Sequence, residues 1–439
     1  MRSTKPLLAL VVVLGGLIAY LYFVDANRPD EEPRDKAFDV QADAIQSLRI
    51  ESAEHGTTML AREKDAWRLT EPVTAPADET EVSSLTSSLA SLEIQQVVDD
   101  NPGDLEVFGL AKPRVAVSFT TSGSQDPMRV LVGERTPTGG HAYAKRGDQP
   151  RVFLIQAYLD STFDRKAFDL RNKRILSFDR DKVDRLELVQ GTTRVEAVKD
   201  GLDWRLTVPL NARADHSAIE GVISRLHSAQ ATAIADEDGG AELAKYGLAA
   251  PRATATVGAG SSRATMAFGS AAGSGDDLYV RDASRPVVAT AANSLLEEVI
   301  KQAGDLRRKD VFEFRAFNAT RLTLTRGNET HAFEKEKGGD DAAAWRRTKP
   351  KTANVDADKM DTLLNDLSAL RAESFTADAP KGPPAVVVEA GFDDGKKTEK
   401  VTFLRVGSDV LATRGDEPGA ARVSVGEFDE ALAALDAIE

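Results

Sequence analysis

Two hydrophobic patterns follow each other along the chain. Apolar residues that alternate with polar ones predict strands with one buried face, as in antiparallel sheets. Apolar residues three and four positions apart predict amphipathic helices. The strand pattern occurs at Leu48 and Ile50, at Leu186 and Leu188, and at Leu322 and Leu324. The helical pattern begins shortly after Asp78, Asp215 and Asp356. The same order of patterns therefore occurs three times.

A short motif marks each of the three copies. The chain has three Trp residues, and each begins a motif that ends in Pro, with an Asp six residues later. The first copy reads W-R-L-T-E-P and the second W-R-L-T-V-P. The motif residues are Trp67, Pro72 and Asp78, then Trp204, Pro209 and Asp215, then Trp345, Pro350 and Asp356. We interpret the motif as the signature of a repeated unit.

A second motif is shared by the first two copies only. It reads F-G-L-A-K-P from Phe108 to Pro113 and Y-G-L-A-A-P from Tyr246 to Pro251. Gly109 and Gly247 suit a left-handed helix end, and the Pro prevents the helix from continuing. The third copy lacks the aromatic residue and the Gly-Leu pair. We therefore expect the third unit to be truncated.

Each unit reads as strands, helix, strands, helix, at a length typical of a domain. The predicted fold class is α+β: one N-terminal transmembrane helix, then three similar tandem domains with mostly antiparallel sheets and short helices. The predicted segments are a cytoplasmic N-terminus (1–6), the transmembrane helix (7–24), a stalk (25–37) and repeat domains at 38–177, 178–313 and 314–439.

The signature residues have two interpretations. The Trp side chains either fill a core in each domain or form a ladder on which a ligand stacks, and the core is favoured because Trp buries a large apolar area. The Asp side chains are predicted as helix N-caps that accept from exposed backbone N–H groups. A metal or catalytic role for them is the alternative.

The N-terminal apolar run predicts membrane insertion. Residues 7–24 carry no charge and would span roughly 27 Å as a helix, close to the bilayer core. Arg2 and Lys5 precede the run and acidic residues follow it, so the N-terminus is expected in the cytoplasm and the bulk of the chain outside it, in the periplasm of a cell with an inner membrane. A signal peptide cleaved after Ala26 is the alternative.

Composition restricts the chemistry. A net charge of −14 argues against a nucleic-acid partner. The chain has no Cys, and its five His residues show no ligand spacing. No nucleophile elbow or phosphate-binding motif is present. The sequence therefore predicts no catalytic residue, no cofactor and no metal.

Three basic residues form the one predicted interaction surface. Lys145, Arg281 and Arg414 follow similar strand motifs in the three copies. They would line a shared face that binds an acidic partner. The alternative is that each is an ordinary outward residue of a strand.

The succession of motifs resembles a bacterial repeat family of unknown function with an N-terminal membrane anchor. The resemblance covers the chain after about residue 36. Genes of that family often lie beside ABC transporters of the gliding-motility type, which implies an accessory role with a membrane complex. The resemblance supplies no catalytic residues.

Three functions remain open from the sequence. The first is a non-enzymatic accessory or scaffold protein of an ABC-transporter-type envelope complex. The second is a periplasmic module that binds an envelope polymer such as glycan or peptidoglycan, with exposed aromatic residues near Tyr143 and Tyr279. The third is a hydrolase with an unfamiliar site.

Overall fold

The computed structural model describes Leu14 and residues 34–273, 275–336 and 344–438. The chain divides into two compact units, Met1–Lys173 and Arg174–Glu439. The first unit contains one nine-stranded sheet, and the second contains two.

The first sheet is built from two antiparallel meanders. Its strand order is β4-β3-β2-β1-β6-β7-β8-β9-β5, so the two meanders join where β1 pairs with β6. The strands are β1 (Ile45–Ser52), β2 (Gly56–Glu63), β3 (Ala66–Glu71), β4 (Ala75–Pro76), β5 (Gln96–Asp99), β6 (Val115–Thr121), β7 (Ser124–Arg135), β8 (His141–Arg146) and β9 (Val152–Gln156). The helices are α1 (Glu79–Ala90), α2 (Tyr158–Phe163) and α3 (Ala167–Leu170).

The second sheet repeats this order as β13-β12-β11-β10-β15-β16-β17-β18-β14. Its strands are β10 (Arg185–Gln190), β11 (Thr193–Asp200), β12 (Asp203–Val208), β13 (Ala212–Arg213), β14 (Ala233–Asp236), β15 (Ala253–Ala259), β16 (Ser262–Ala271), β17 (Asp277–Asp282) and β18 (Val288–Ala292). Its helices are α4 (His216–Ser228), α5 (Ser294–Val299) and α6 (Ala303–Leu306).

The third sheet has the order β22-β21-β20-β19-β24-β25-β26-β27-β23. Its strands are β19 (Ala319–Arg326), β20 (Glu329–Lys335), β21 (Trp345–Lys349), β22 (Ala353–Asn354), β23 (Ala372–Thr376), β24 (Val386–Phe392), β25 (Lys397–Val406), β26 (Asp409–Arg414) and β27 (Ala420–Val423). Its helices are α7 (Ala357–Ala369) and α8 (Val425–Asp436). The third copy, expected to be truncated, thus contains all nine strands.

Each of the three sheets has its own core, which lies between one face of that sheet and the long helix of the same copy. Leu48 pairs with Leu60 on one side and Phe119 on the other, and all three are buried. Val82 and Leu89 of α1 are buried in the same cluster. The alternating strand pattern and the 3.6-residue helical pattern therefore point toward one core.

The predicted fold class was wrong. Instead of α+β domains behind a transmembrane helix, the described residues form three nine-stranded antiparallel sheets with few helices. The strand count was missed because strands as short as β4 carry no detectable alternation, and because the pairing of β1 with β6 joins segments far apart in sequence.

The described residues also contain no helix that is long and apolar enough to cross a membrane. The predicted membrane segment, residues 7–24, lies outside the described residues except for Leu14.

Candidate functional site

The signature Trp side chains lie in the three cores. Trp67, Trp204 and Trp345 are 7%, 2% and 5% exposed, each in the cluster of its own sheet. A stacking platform needs an open ring face, so these side chains offer a ligand little surface.

The three Asp side chains cap the long helices. Asp78 accepts from the backbone of Thr80 and Glu81, Asp215 accepts from that of Ala218, and Asp356 from those of Asp358 and Lys359. The Pro residues at 72, 209 and 350 each follow a cis peptide bond, in the turn after the Trp strand.

The Gly-Leu motif lies against a long strand, two residues before that strand ends. Gly109 and Gly247 both have φ +67° and end short 3₁₀ turns. A Cβ on Gly133 of β7 would lie 2.1 Å from the carbonyl oxygen of Phe108, and one on Gly269 of β16 would lie 2.2 Å from that of Tyr246. Pro113 and Pro251 then lead into β6 and β15. The motif therefore forms a turn that packs closely against a neighbouring strand.

The three predicted basic residues do not occupy one shared place. Ala144, Val280 and Ala412 are equivalent, because they pair with Val132, Phe268 and Phe403 at corresponding points of their sheets. Lys145 and Arg281 directly follow these residues, but Arg414 lies one position further on. Successive side chains of a strand point to opposite faces, so Arg414 lies on the other face.

Contacts within the chain engage all three of these basic residues. Lys145 Nζ donates to the carbonyl groups of Arg146 and Gln149. Arg281 donates to those of Asp282 and Ala283. These two residues brace the turn after their strand, and their role in binding a partner stays a prediction.

Arg414 is equivalent to Arg146 of the first sheet. Arg146 Nη1 donates to the carbonyl oxygen of Ala37 at 2.7 Å, and Arg414 Nη1 donates to that of Val311 at 3.0 Å. Both carbonyl groups precede the first strand of their sheet. Arg414 therefore ties the start of its sheet to β26.

The predicted aromatic platforms are paired rings. Tyr143 packs against Phe108 with ring centroids 5.1 Å apart, and Tyr279 packs against Tyr246 at 4.9 Å. Both tyrosines are half-buried. One partner ring therefore covers part of each tyrosine, and a role for Tyr143 and Tyr279 in binding a polymer stays a prediction.

A buried charge cluster joins the second and third sheets inside the unit Arg174–Glu439, and we call it the charged joint. It consists of Arg213, Arg307 and Glu417. Arg213 lies in the edge strand β13, Arg307 follows α6, and Glu417 lies in the turn between β26 and β27. Their side chains are only 10%, 5% and 4% exposed.

Both oxygens of Glu417 are bound in the charged joint. Arg213 Nε donates to Oε1, and Arg307 Nη2 donates to Oε2 at 2.7 Å. Arg307 also donates to the carbonyl oxygen of Pro418 at 3.1 Å, and its guanidinium lies 4.1 Å from the ring centroid of Phe375. A carboxylate held by two arginines in a buried site is a strong and geometrically specific contact.

A second group of charges lies next to the joint. Arg213 Nη2 donates to the carbonyl oxygen of Asp310 at 3.1 Å, and its Nη1 lies 3.4 Å from Glu313. Arg414 Nη2 lies 3.8 Å from the same Glu313, and Arg414 Nη1 pairs with the buried Glu399 at 2.6 Å. The arginines are thus shared among acidic groups rather than left uncompensated.

The charged joint holds Glu417 ionised. Burial by itself raises the pKa of Glu417, but the charges and hydrogen bonds of Arg213 and Arg307 outweigh it, and the pKa lies below its usual value. The cavity beside the joint measures about 20 Å³, enough for about one water. A fully bonded carboxylate without room for a substrate acts as a clamp between the two sheets.

Sequence reasoning did not single out the charged joint. Arg213 and Glu417 are separated by 204 residues, so no local pattern relates them. One signal was available: Leu306-Arg307-Arg308-Lys309 repeats the earlier Leu170-Arg171-Asn172-Lys173 at the point where one copy hands over to the next.

The fold and the clamp define a tandem-repeat protein of three nine-stranded antiparallel sheets. Residues 67–203 and 204–393 each match the family described as Domain of unknown function (DUF4340). The matches cover most of the chain, and the chain belongs to this family. Each match begins at a signature Trp, whereas the sheet to which that Trp belongs begins one hairpin earlier.

Other comparisons add little. No curated protein matches the chain. The chain has 10% identity and a TM-score of 0.17 to two crystal structures from Pseudomonas aeruginosa, a DNA polymerase sliding clamp with ligand and a DNA polymerase III subunit beta. Each alignment covers 89% of this chain and 94% of the other. A TM-score this low establishes no common fold.

Proposed function

We propose that this protein is a non-enzymatic scaffold or accessory component of an envelope complex outside the cytoplasm. The observation that carries the proposal is the charged joint, which clamps two of the three repeated sheets into one compact unit. A fixed pair of sheets offers a partner a continuous surface, since neither sheet must be ordered on binding.

The placement of the signature residues supports a non-catalytic role. They fill cores, cap helices and seat turns, and the most buried charges of the second unit are paired with each other. Catalytic carboxylates need an accessible oxygen and a perturbed pKa suited to proton transfer. The depressed pKa of Glu417 suits a permanent counter-ion instead.

We propose an ABC-transporter-type complex as the partner, on the basis of the resemblance in sequence motifs. The chain's net charge of −14 favours a partner with a basic surface, since complementary charge speeds encounter.

Affinity purification of the full-length chain tests this function. A C-terminally tagged chain extracted in mild detergent is expected to recover a transporter subunit or another envelope protein. The Glu417→Ala variant breaks the joint and is expected to lose that partner, while Glu430→Ala, at an exposed residue of α8, retains it. Recovery of the chain alone, after cross-linking as well, would refute the proposal.

The location outside the cytoplasm is tested separately. The chain has no Cys, so Leu202→Cys introduces a single thiol at a side chain that is 89% exposed. We expect a membrane-impermeant maleimide to label it in cells with an intact cytoplasmic membrane. Ser3→Cys lies ahead of the apolar run and is the control that should stay unlabelled. Labelling of Leu202→Cys only after lysis would contradict the proposed location.

A further inference from the structure

Three side chains with metal-binding donors meet on the first sheet. Glu54 and His55 lie in the turn between β1 and β2, and Asp164 directly follows α2. One donor atom of each lies within 4.8 Å of the other two. In the part of the chain that the structure describes, this is the single such group of His, Asp and Glu.

The backbone on both sides of this group is held in place. Ser52 Oγ accepts from the N–H groups of Glu54 and His55 at 3.1 and 2.9 Å. On the other side, α2 is tied to the sheet by Asp160, which is 1% exposed and accepts from Arg114 and Arg135 at 2.8 and 3.1 Å. The donors therefore approach each other from two fixed segments that are far apart in sequence.

The carboxylate of Asp164 has an unused oxygen. Its Oδ1 is buried and accepts no hydrogen bond from the residues that the structure describes. A buried carboxylate oxygen without a donor is costly. A cation that binds between the three side chains neutralises the two carboxylates, and if it takes Oδ1 of Asp164 as a ligand it also satisfies this oxygen.

We propose that Glu54, His55 and Asp164 bind a divalent transition-metal ion of the zinc type. One imidazole nitrogen with two carboxylate oxygens suits Zn²⁺, whereas Ca²⁺ and Mg²⁺ prefer oxygen donors alone. Tetrahedral Zn²⁺ places its donors about 3.4 Å apart. The exposed side chains of Glu54 and His55 close the remaining gap by rotation.

The site goes beyond the proposed scaffold function, because it cross-links the first hairpin to α2. An ion that binds only the folded state stabilises it by mass action. The spacing between His55 and Asp164 hides such a site from local sequence motifs, which is why the sequence predicted no metal.

The experiment measures Zn²⁺ binding to the full-length chain after chelator treatment. Calorimetry is expected to find one site, and Zn²⁺ is expected to raise the unfolding temperature. His55→Ala, Asp164→Asn and Glu54→Gln should each weaken binding roughly tenfold or more, since a ligand bond is lost. His216→Ala removes another exposed His, in the second unit, and should bind as the parent does.

Three results would overturn the proposal. They are no binding of Zn²⁺ to the parent chain, equal loss of binding in His55→Ala and His216→Ala, and equally tight binding of Ca²⁺. Glu54 and His55 are exposed and Asp164 is half-buried, and a circular-dichroism spectrum like that of the parent confirms that each variant is folded.

Discussion

A glycine near the end of a long strand marks a place where the packing leaves no room for a side chain. Gly269 of β16 packs directly against the carbonyl group of Tyr246, and Gly133 of β7 packs against that of Phe108. The Gly-Leu motif and the strand glycine are therefore two halves of one contact. The motif could be recognised from the sequence, but its partner glycine could be explained only once the strand was placed beside it.

Substitution at this glycine should be costly. Gly269→Ala is expected to lower the free energy of unfolding by about 1–3 kcal/mol, because its methyl group would overlap a backbone oxygen. Gly221→Ala, inside α4 with open space around it, should stabilise by up to about 1 kcal/mol. Chemical denaturation of both variants measures the sign of each change in the free energy of unfolding. Equal changes in the two variants would contradict a close contact at Gly269.

The charged joint should be sensitive to acid. The folded-state pKa of Glu417 lies below its unfolded value, so its contribution to stability is present above the unfolded pKa and is lost as the pH falls through the folded pKa. Between pH 7 and pH 3, the parent chain should lose more stability than Glu417→Gln. Parallel pH dependence in thermal melts of the two would argue against this role.

Glu417→Ala at neutral pH should lower the free energy of unfolding by about 3–5 kcal/mol, because two buried arginines lose their partner. Glu430→Ala should change stability by no more than about 0.5 kcal/mol, as an exposed surface substitution. Urea denaturation of the two variants makes the comparison.

At the scale of elements, local sequence signals were enough to predict the long helices. The Asp residues at 78, 215 and 356 stand directly before helices of twelve or thirteen residues, and the apolar periodicity continues through each. The short strands were not predictable in this way, because β13 has only two residues and is defined by its pairing with β12.

The N-caps give a test at this scale. Asp215→Ala should destabilise by about 1 kcal/mol, since the N–H of Ala218 loses its acceptor, whereas Asp215→Asn retains an acceptor and should cost less. Thermal unfolding of the pair decides the point: an Asn variant as unstable as the Ala variant would mean that the cap contributes through its charge alone.

At the scale of the whole molecule, the two units should behave differently when separated. Residues 174–439 are expected to unfold in one transition, because the charged joint couples their two sheets. Glu417→Ala in this fragment should split the calorimetric transition into two. A parent fragment that already unfolds in two steps would contradict the coupling.

The joint also explains what sequence reasoning could not supply at this scale. Its contacts connect residues from 110 to 204 positions apart, and each residue alone looks like an ordinary surface charge. The repeat could be read from the chain because it depends on similarity between copies. The clamp could not be read in this way, because it depends on a residue that differs between the copies. Glu417 of the third copy occupies the position that Gln149 occupies in the first copy.

The family matches and the sheets begin at different points of the chain, and this offset determines what a change in copy number would produce. The matched segments begin at Trp67 in β3 and Trp204 in β12, inside the sheets rather than between them. Loss of residues 67–203 would join Ala66 directly to Trp204 and fuse the first hairpin of one sheet to the remaining strands of the next. The product would again be nine strands in the same order. A deletion or duplication with these boundaries would therefore change the number of copies and still leave each sheet with its full set of nine strands.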